Sequence, residues 1–453
     1  MKLWTLCLAL GMLMAQPKET PPLGSPPIPF NVPQRETYSL KNGMKITLVP
    51  YGTVPLVTVR AVVGFGNLNE SAQQVWLADM VAALLKEGAA GLNGQQLAEA
   101  AARMGGQLSV NAGADNSAVG VNVLSEFAPD AVKLVSDVLL RPTFPASELE
   151  RIRANLLRRV ALAHSEPQAL ASEAFSREVY GNHPYGREYP TEAQLKAYTL
   201  DDVKKFFAAN AGARRTHLYI AGRFDSSVRK AIAAAFDGWQ EGPAVVRNVP
   251  KMEAKRTVVL IDRPGAAQST LRIGLPLAAQ PANADYIPME VTDSILGGSF
   301  GSRITSNIRE QKGYTYSPYS SVDTNYHTAV WSESADVTTK VTGESLKEIF
   351  YEIDRLRKTP PSEQELKNIQ NYLSGVFIIR NSSANGLAGR FAFVDEQGLT
   401  DDYLRTYVQK VNAVTRADVQ RIAEQYLNPE KMTIVVVGDK SQVEGVLKPY
   451  QPK

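Results

Sequence analysis

Apolar residues alternate with polar ones over Lys45 to Pro50 and Thr58 to Val63, and again over Thr257 to Ile261 and Thr270 to Gly274. A period of two turns successive side chains to opposite faces, so these four stretches read as strands. Asn42-Gly43, just ahead of the first, is a tight-turn pair and predicts a hairpin. Amphipathic helical spacing follows each strand pair. Each run of helices then ends in a further apolar stretch, HLYIAG from His217 to Gly222 and TIVVVG from Thr433 to Gly438. The expected class is α+β, in two homologous halves that each pack helices on a largely antiparallel sheet.

Three separated blocks carry the homology. PASELERIRANLL (Pro145 to Leu157), LDDVKKFF (Leu200 to Phe207) and HLYIAG answer PSEQELKNIQNYL (Pro361 to Leu373), RADVQRIAEQYL (Arg416 to Leu427) and TIVVVG. Asp202 maps on Asp418, Tyr219 on Val435 and Gly222 on Gly438, each 216 residues on, and Leu149 maps on Leu366 at 217. An offset so nearly constant indicates internal duplication. The polar, proline-containing EGPAVVRNVPKMEAKR at 241–256 reads as a linker between a first domain at 34–240 and a second at 257–450.

A length of 453 residues suits two such domains, and 44% hydrophobic with 21% charged residues is an ordinary globular balance. The net charge of +3 is carried without a basic cluster interleaved with aromatics, so no nucleic-acid partner is expected. Lys2 precedes a short apolar run, Leu3 to Ala15, which has the proportions of a secretory signal. Residues 1–15 are therefore expected to be a signal peptide that directs the chain across the inner membrane to the periplasm; an uncleaved membrane anchor is the alternative. Prolines recurring from Pro17 to Pro33 make 16–33 an extended tether. The single cysteine, Cys7, falls in the leader, so the mature chain needs no disulfide.

The stretch from Ile295 to Tyr316, ILGGSFGSRITSNIREQKGYTY, holds the densest candidate chemistry. Met289 to Leu296 reads as helix; Phe300, Ile304 and Ile308 recur at helical spacing; Gly313 ends that helix; Tyr314 and Tyr316 then share one face of a strand. Arg309 and Tyr316 could converge across this junction. An exposed arginine and a half-buried strand tyrosine explain the same letters. Gly297, Gly298 and Gly301 lack the ending of a phosphate loop, and close backbone approach to a substrate or partner strand suits them better. GGSFG also matches a nucleophile-elbow pattern centred on Ser299, but a helix leads into it where an elbow needs a strand, and no histidine can be tied to it.

The wording LGGSFGSR…NIREQKGYTYS, in the second half of a duplicated chain, resembles the insulinase/pitrilysin family of zinc peptidases, in the short-chain branch related to mitochondrial processing peptidase. The resemblance implies that Arg309 and Tyr316 face the zinc across a cavity, bind the substrate backbone and polarise the scissile carbonyl, with Gly297, Gly298 and Ser299 on the substrate path. Tyr314 fits the register less well. The family's inverted His-x-x-Glu-His motif sets two zinc ligands on one helical face, with the glutamate as general base. It falls here on LADMVAALLKEG, Leu77 to Gly88, where Asp79, Ala82 and Ala83 occupy the three positions. The third ligand, a glutamate, falls near Arg158 and Arg159, whose charge repels a metal. His164, His183, His217 and His327 are scattered. His183 and Tyr185, in GNHPYGRE, are expected to shape a loop, and Asp79 to be a solvated or capping carboxylate.

No cofactor is therefore expected in this chain, and zinc is expected in a partner. The resemblance implies a subunit inactive alone, joined in a heterodimer to a homologous zinc-bearing peptidase subunit, to which it supplies Arg309, Tyr316 and half of a chamber for unfolded peptide. The alternative is an inert structural or peptide-binding scaffold resembling the core subunits of the respiratory cytochrome bc complex.

Overall fold

The computed structural model describes residues 30–452; the expected signal peptide at 1–15 and all but the end of the tether lie outside the described residues. Strands β1 (Glu36–Ser39), β2 (Lys45–Pro50), β3 (Leu56–Val63), β4 (Ser109–Ala112), β5 (Ser117–Leu124) and β6 (Thr216–Gly222) form one sheet in the order β1-β2-β6-β3-β5-β4. Strands β7 (Thr257–Asp262), β8 (Gln268–Leu277), β9 (Tyr319–Asn325), β10 (Thr328–Thr338) and β11 (Thr433–Gly438) form a second in the order β7-β11-β8-β10-β9. Apart from the added hairpin strand β1, the two orders are the same. Each sheet has one parallel pair, β2 with β6 and β7 with β11, and is otherwise antiparallel. The parallel pairs arise because β6 and β11 return only after a run of helices, a crossover that a tight turn could not make. Gly43 takes φ +83 in the β1–β2 turn, as the Asn-Gly pair predicts. Residues 240–256 carry neither helix nor strand.

The helices that position the candidate residues and join the two halves are α1 (Leu77–Leu85), α2 (Ala146–Ser165), α3 (Pro167–Tyr180), α4 (Leu200–Asn210), α5 (Tyr286–Leu296), α6 (Glu363–Arg380), α7 (Ala384–Glu396) and α8 (Arg416–Tyr426). Asp202 and Asp418, matched in sequence, do the same work. Each is the third residue of its helix, α4 or α8, and closes a capping box with Thr199 or Thr415. Such a cap stabilises a helix by about 1 kcal/mol. The threonine hydroxyl and backbone N–H hold both carboxyls below their ordinary pKa.

The halves exchange helices. α3 of the first half packs on β8 and β11 of the second sheet, and α7 of the second half packs on β3 and β6 of the first. This explains why HLYIAG and TIVVVG are nearly continuous apolar runs: β6 and β11 are covered on both faces and almost wholly buried. A polar seam fixes the exchange. His217 Nε2 lies 2.7 Å from Thr47 Oγ1 and its Nδ1 2.8 Å from the Tyr219 hydroxyl, which donates to Asp395 Oδ2 on α7 at 2.8 Å. Tyr219 spends its proton on Asp395, so His217 must donate from Nδ1 and accept from Thr47 at Nε2. Burial depresses His217 to about 3, which keeps it neutral. Arg35 closes the far end, 2.8 Å from both Asp395 and Asp401.

Candidate functional site

α1 carries the positions of the expected metal motif, and its sequence buries it on nearly every side: Leu77, Ala78, Met80, Val81, Ala82, Leu84 and Leu85 are all buried. Asp79 lies in its first turn and both carboxylate oxygens are engaged. Oδ2 accepts from Asn67 Nδ2 at 3.0 Å and Oδ1 from Arg159 Nη2 of α2 at 3.1 Å. The Arg159 guanidinium also stacks 4.0 Å above the Trp76 ring. Arg158, beside it, bonds to Asn155 on its own helix instead. The two segments that would bring zinc ligands together thus meet as an ion pair, with a cation where a third ligand is required. Ala82 and Ala83 offer no donor. These residues do not fit a zinc ion, and among the described residues no group of three or more His, Cys, Asp or Glu could hold one.

Glu70, which no sequence motif singles out, organises this end of α1. Its carboxylate accepts from Trp76 N at 3.0 Å, Ala78 N at 2.8 Å and Asn67 Nδ2 at 3.1 Å. Burial still pushes its pKa up to about 8 against these three donors. The residue before α1 is Trp76, at φ 65, with no capping side chain, so Glu70 serves as the missing cap. The absence of Ser, Thr, Asp or Asn at the helix start is the signal that could have led to it.

In the second half, Arg309 and Tyr316 do converge. The Arg309 guanidinium carbon lies 5.1 Å from the Tyr316 ring centroid and 4.5 Å from that of Phe300. Both rings are exposed, Phe300 at 72% and Tyr316 at 80%, so the cation is clasped between two solvent-facing aromatics. The route to this geometry differs from the periodic reading. Phe300 is not on a helix; the helical turns begin at Arg303 and widen into a π-helix over Thr305–Gln311. Ile304 and Ile308 are buried as their spacing predicts, whereas Phe300 is turned outward onto Arg309. Asn307 anchors the π-helix by donating to Glu348 at 3.0 Å and Glu352 at 2.8 Å. Tyr314 and Tyr316 flank a single bridge from Thr315 to Val337, not a strand. The side chains still alternate, with Thr315 buried and Tyr316 exposed.

The glycines before this unit have a packing explanation. A Cβ on Gly297 would fall 2.5 Å from Ser320 Oγ and 2.6 Å from Glu333 Oε2, and one on Gly298 would strike Asp293 Oδ2. They cover a pair of buried acids. Asp293 Oδ1 accepts from Ser320 Oγ at 2.5 Å and Trp331 Nε1 at 2.8 Å, and burial raises its carboxyl to about 6. Glu333 is fully buried with neither oxygen hydrogen-bonded, and burial holds its pKa well above the usual range. Ser299 is buried and its Oγ has no hydrogen-bond partner, and helix α5 leads into it, so the nucleophile-elbow pattern is not realised. His183 donates from Nε2 to Asn248 O at 2.8 Å and accepts from Tyr185 N at 3.3 Å, tying its loop to residues 240–256.

The chain is a duplicated α+β protein whose expected metal motif offers no zinc ligand set in one half and whose other half clasps an arginine between two aromatic rings. The description "Insulinase (Peptidase family M16)" matches residues 48–191 and "Peptidase M16 inactive domain" matches residues 197–373; the chain belongs to this family. It is 23% identical over 397 residues to "Uncharacterized zinc protease YmxG" of Bacillus subtilis, covering 86% of this chain and 94% of that one. It is 22% identical over 403 residues to "Non-peptidase homolog YmxG" of Helicobacter pylori, covering 87% and 90%. Among solved structures, a peptidase M16 inactive domain from Pseudomonas fluorescens superposes with a TM-score of 0.82 at 25% identity, over 89% of this chain and 98% of that one. Among the described residues no helix is long and apolar enough to cross a membrane.

Proposed function

We propose that this chain is the non-zinc subunit of a two-chain peptidase, exported to the periplasm, in which a homologous partner supplies zinc and general base. This chain supplies Arg309, Tyr316 and half of the enclosure for an unfolded peptide. The observation that carries the reading is the clasp itself. Phe300 and Tyr316 flank the arginine, and among the described residues its one ion pair is with the neighbouring Glu310 at 3.2 Å. An arginine so oriented offers N–H donors to a peptide carbonyl, and the Tyr316 hydroxyl is a further donor for a developing oxyanion. Ala82 in the general-base position and the Asp79–Arg159 pair mean that hydrolysis would have to be carried by the other chain.

The test is reconstitution with a zinc-bearing homologue, measuring kcat and KM for an unfolded peptide. Tyr316→Phe should lower kcat roughly a hundredfold to a thousandfold with KM little changed, the usual cost of one oxyanion donor. Arg309→Ala should raise KM as well, because it removes a ground-state contact. Wild-type kinetics from both variants, with unchanged thermal unfolding, would leave the inert scaffold as the better account.

A further inference from the structure

The face of the first sheet that α7 covers carries an arginine that the rest of the molecule leaves unanswered. Arg60, on β3, turns away from the core toward α7, with Nη1 3.7 Å from where a Cβ on Gly389 would stand. Among the described residues no carboxylate pairs with it, and its buried Nε has no hydrogen-bond partner. The second half shows what the fold does with the matching residue. Arg272, in Thr270-Leu271-Arg272 against Thr58-Val59-Arg60, also has a buried Nε without a hydrogen-bond partner, but it reaches Asp323 at 3.9 Å and lies 5.4 Å from the Phe175 ring of α3.

A cavity of about 370 Å³ opens beside Arg60, between the first sheet and the first turn of α7. The strand register explains it. Arg60 pairs across β3 and β5 with Gly120, which in turn pairs with Ser109 on β4, so the position next to Arg60 has no side chain. Gln107, Asn111, Asn122 and Asn385 surround the opening, and no acidic residue lines it. Asn122 Oδ1 is taken by the Thr58 hydroxyl at 3.1 Å, which leaves its amide N–H groups as donors. One guanidinium fork among neutral amides is the complement of a single negative charge with two acceptor oxygens. A phosphate dianion would call for more positive charge.

We propose that the cavity beside Arg60 binds a carboxylate, from a peptide C-terminus or a small free acid, held bidentately by the guanidinium. α7 belongs to the second half and β3 to the first, so the bound group sits at the contact between them. The proposal does not depend on a zinc-bearing partner, and it concerns the chain alone.

The test is isothermal titration of the full chain with trialanine, trialanine amide and sodium acetate. Trialanine binding that its amide lacks supports the site. Acetate competing with trialanine identifies carboxylate as sufficient, and no acetate binding identifies a peptide terminus as the occupant. Arg60→Gln should weaken binding roughly tenfold to a hundredfold, the usual range for losing a hydrogen bond to a charged group. Asn122→Asp keeps Arg60 but places a carboxylate on the adjacent strand, diagonal to it and within reach of a long side chain. It should abolish trialanine binding and raise the thermal midpoint of the unliganded chain, and it answers the question even if Arg60→Gln fails to fold. No binding by either acid, equal binding of the amide, or binding unchanged in both variants would overturn the proposal.

Discussion

Asp293 offers the sharpest energetic test of how the Arg309 segment is mounted. Its Oδ1 ties the C-terminal turn of α5 to Ser320 on β9 and Trp331 on β10, and Gly297 and Gly298 run across the top of that junction. Burial raises the carboxyl from 3.8 to about 6. A tenfold change in proton affinity is worth about 1.4 kcal/mol, so the gap corresponds to about 3 kcal/mol. The folded chain binds this proton more tightly than the unfolded one. The stabilisation is therefore complete below 3.8 and is lost as pH rises through about 6. Glu333 faces the same space, and its pKa is raised well above the usual range first by burial and then by the Asp293 charge, so the two carboxyls are coupled. Asp293→Asn keeps an acceptor for Ser320 and Trp331 but cannot ionise. Urea unfolding of both proteins between about pH 4 and about pH 8 should show the asparagine variant gaining about 3 kcal/mol on the wild type across that span. The comparison cancels the titrating groups that do not feel the Asp293 charge, and any shift of Glu333 belongs to the same buried pair. A difference that stays flat with pH would refute the assignment of a buried, elevated carboxyl.

Gly298→Ala should destabilise the chain by about 1–3 kcal/mol, because the added methyl strikes Asp293 and the surrounding core is already filled; denaturant unfolding measures it. Tyr219→Phe removes the link between His217 and Asp395 and should cost about 1–3 kcal/mol, read by the same experiment, with an unchanged midpoint showing that the seam between the halves is not structural. Metal analysis of dialysed protein should find no stoichiometric zinc, and Asp79→His with Ala82→Glu and Ala83→His should not restore it while Arg159 remains; one tightly held zinc per chain in either protein would contradict this. N-terminal sequencing of exported protein should begin near residue 16, and a mature chain starting at Met1 would remove the expected signal peptide.

The features that could be read from sequence are those fixed by short-range pattern or by repetition. Asp202 and Asp418 stand at equivalent places because each caps a helix from within four residues, and such local contacts survive duplication unchanged. Arg309 and Tyr316 lie seven residues apart around one glycine bend, so the local pattern allowed them to converge, and the resemblance to the family's motif chose that reading over an exposed arginine and a half-buried tyrosine. What escaped was set by distant partners. Gly297 and Gly298 look like a loop made for close approach to a ligand, and only the strands carrying Ser320 and Glu333 reveal the buried acids beneath them. Phe300 keeps helical spacing with Ile304 and Ile308, but the helix starts after it and widens, so the ring leaves the core and becomes one wall of the arginine clasp. The exchange of α3 and α7 was equally hidden, although its trace is present: the twin strands β6 and β11 are too uniformly apolar for a sheet with one wet face. Duplication also sharpens the comparison of one half with the other. Where the copies agree, as in strand order and capping, the fold requires it. Where they part, as in Arg272 with its aspartate and Arg60 without one, the fold has no need of the difference, and a ligand at the unpaired copy becomes the physical reason to look for.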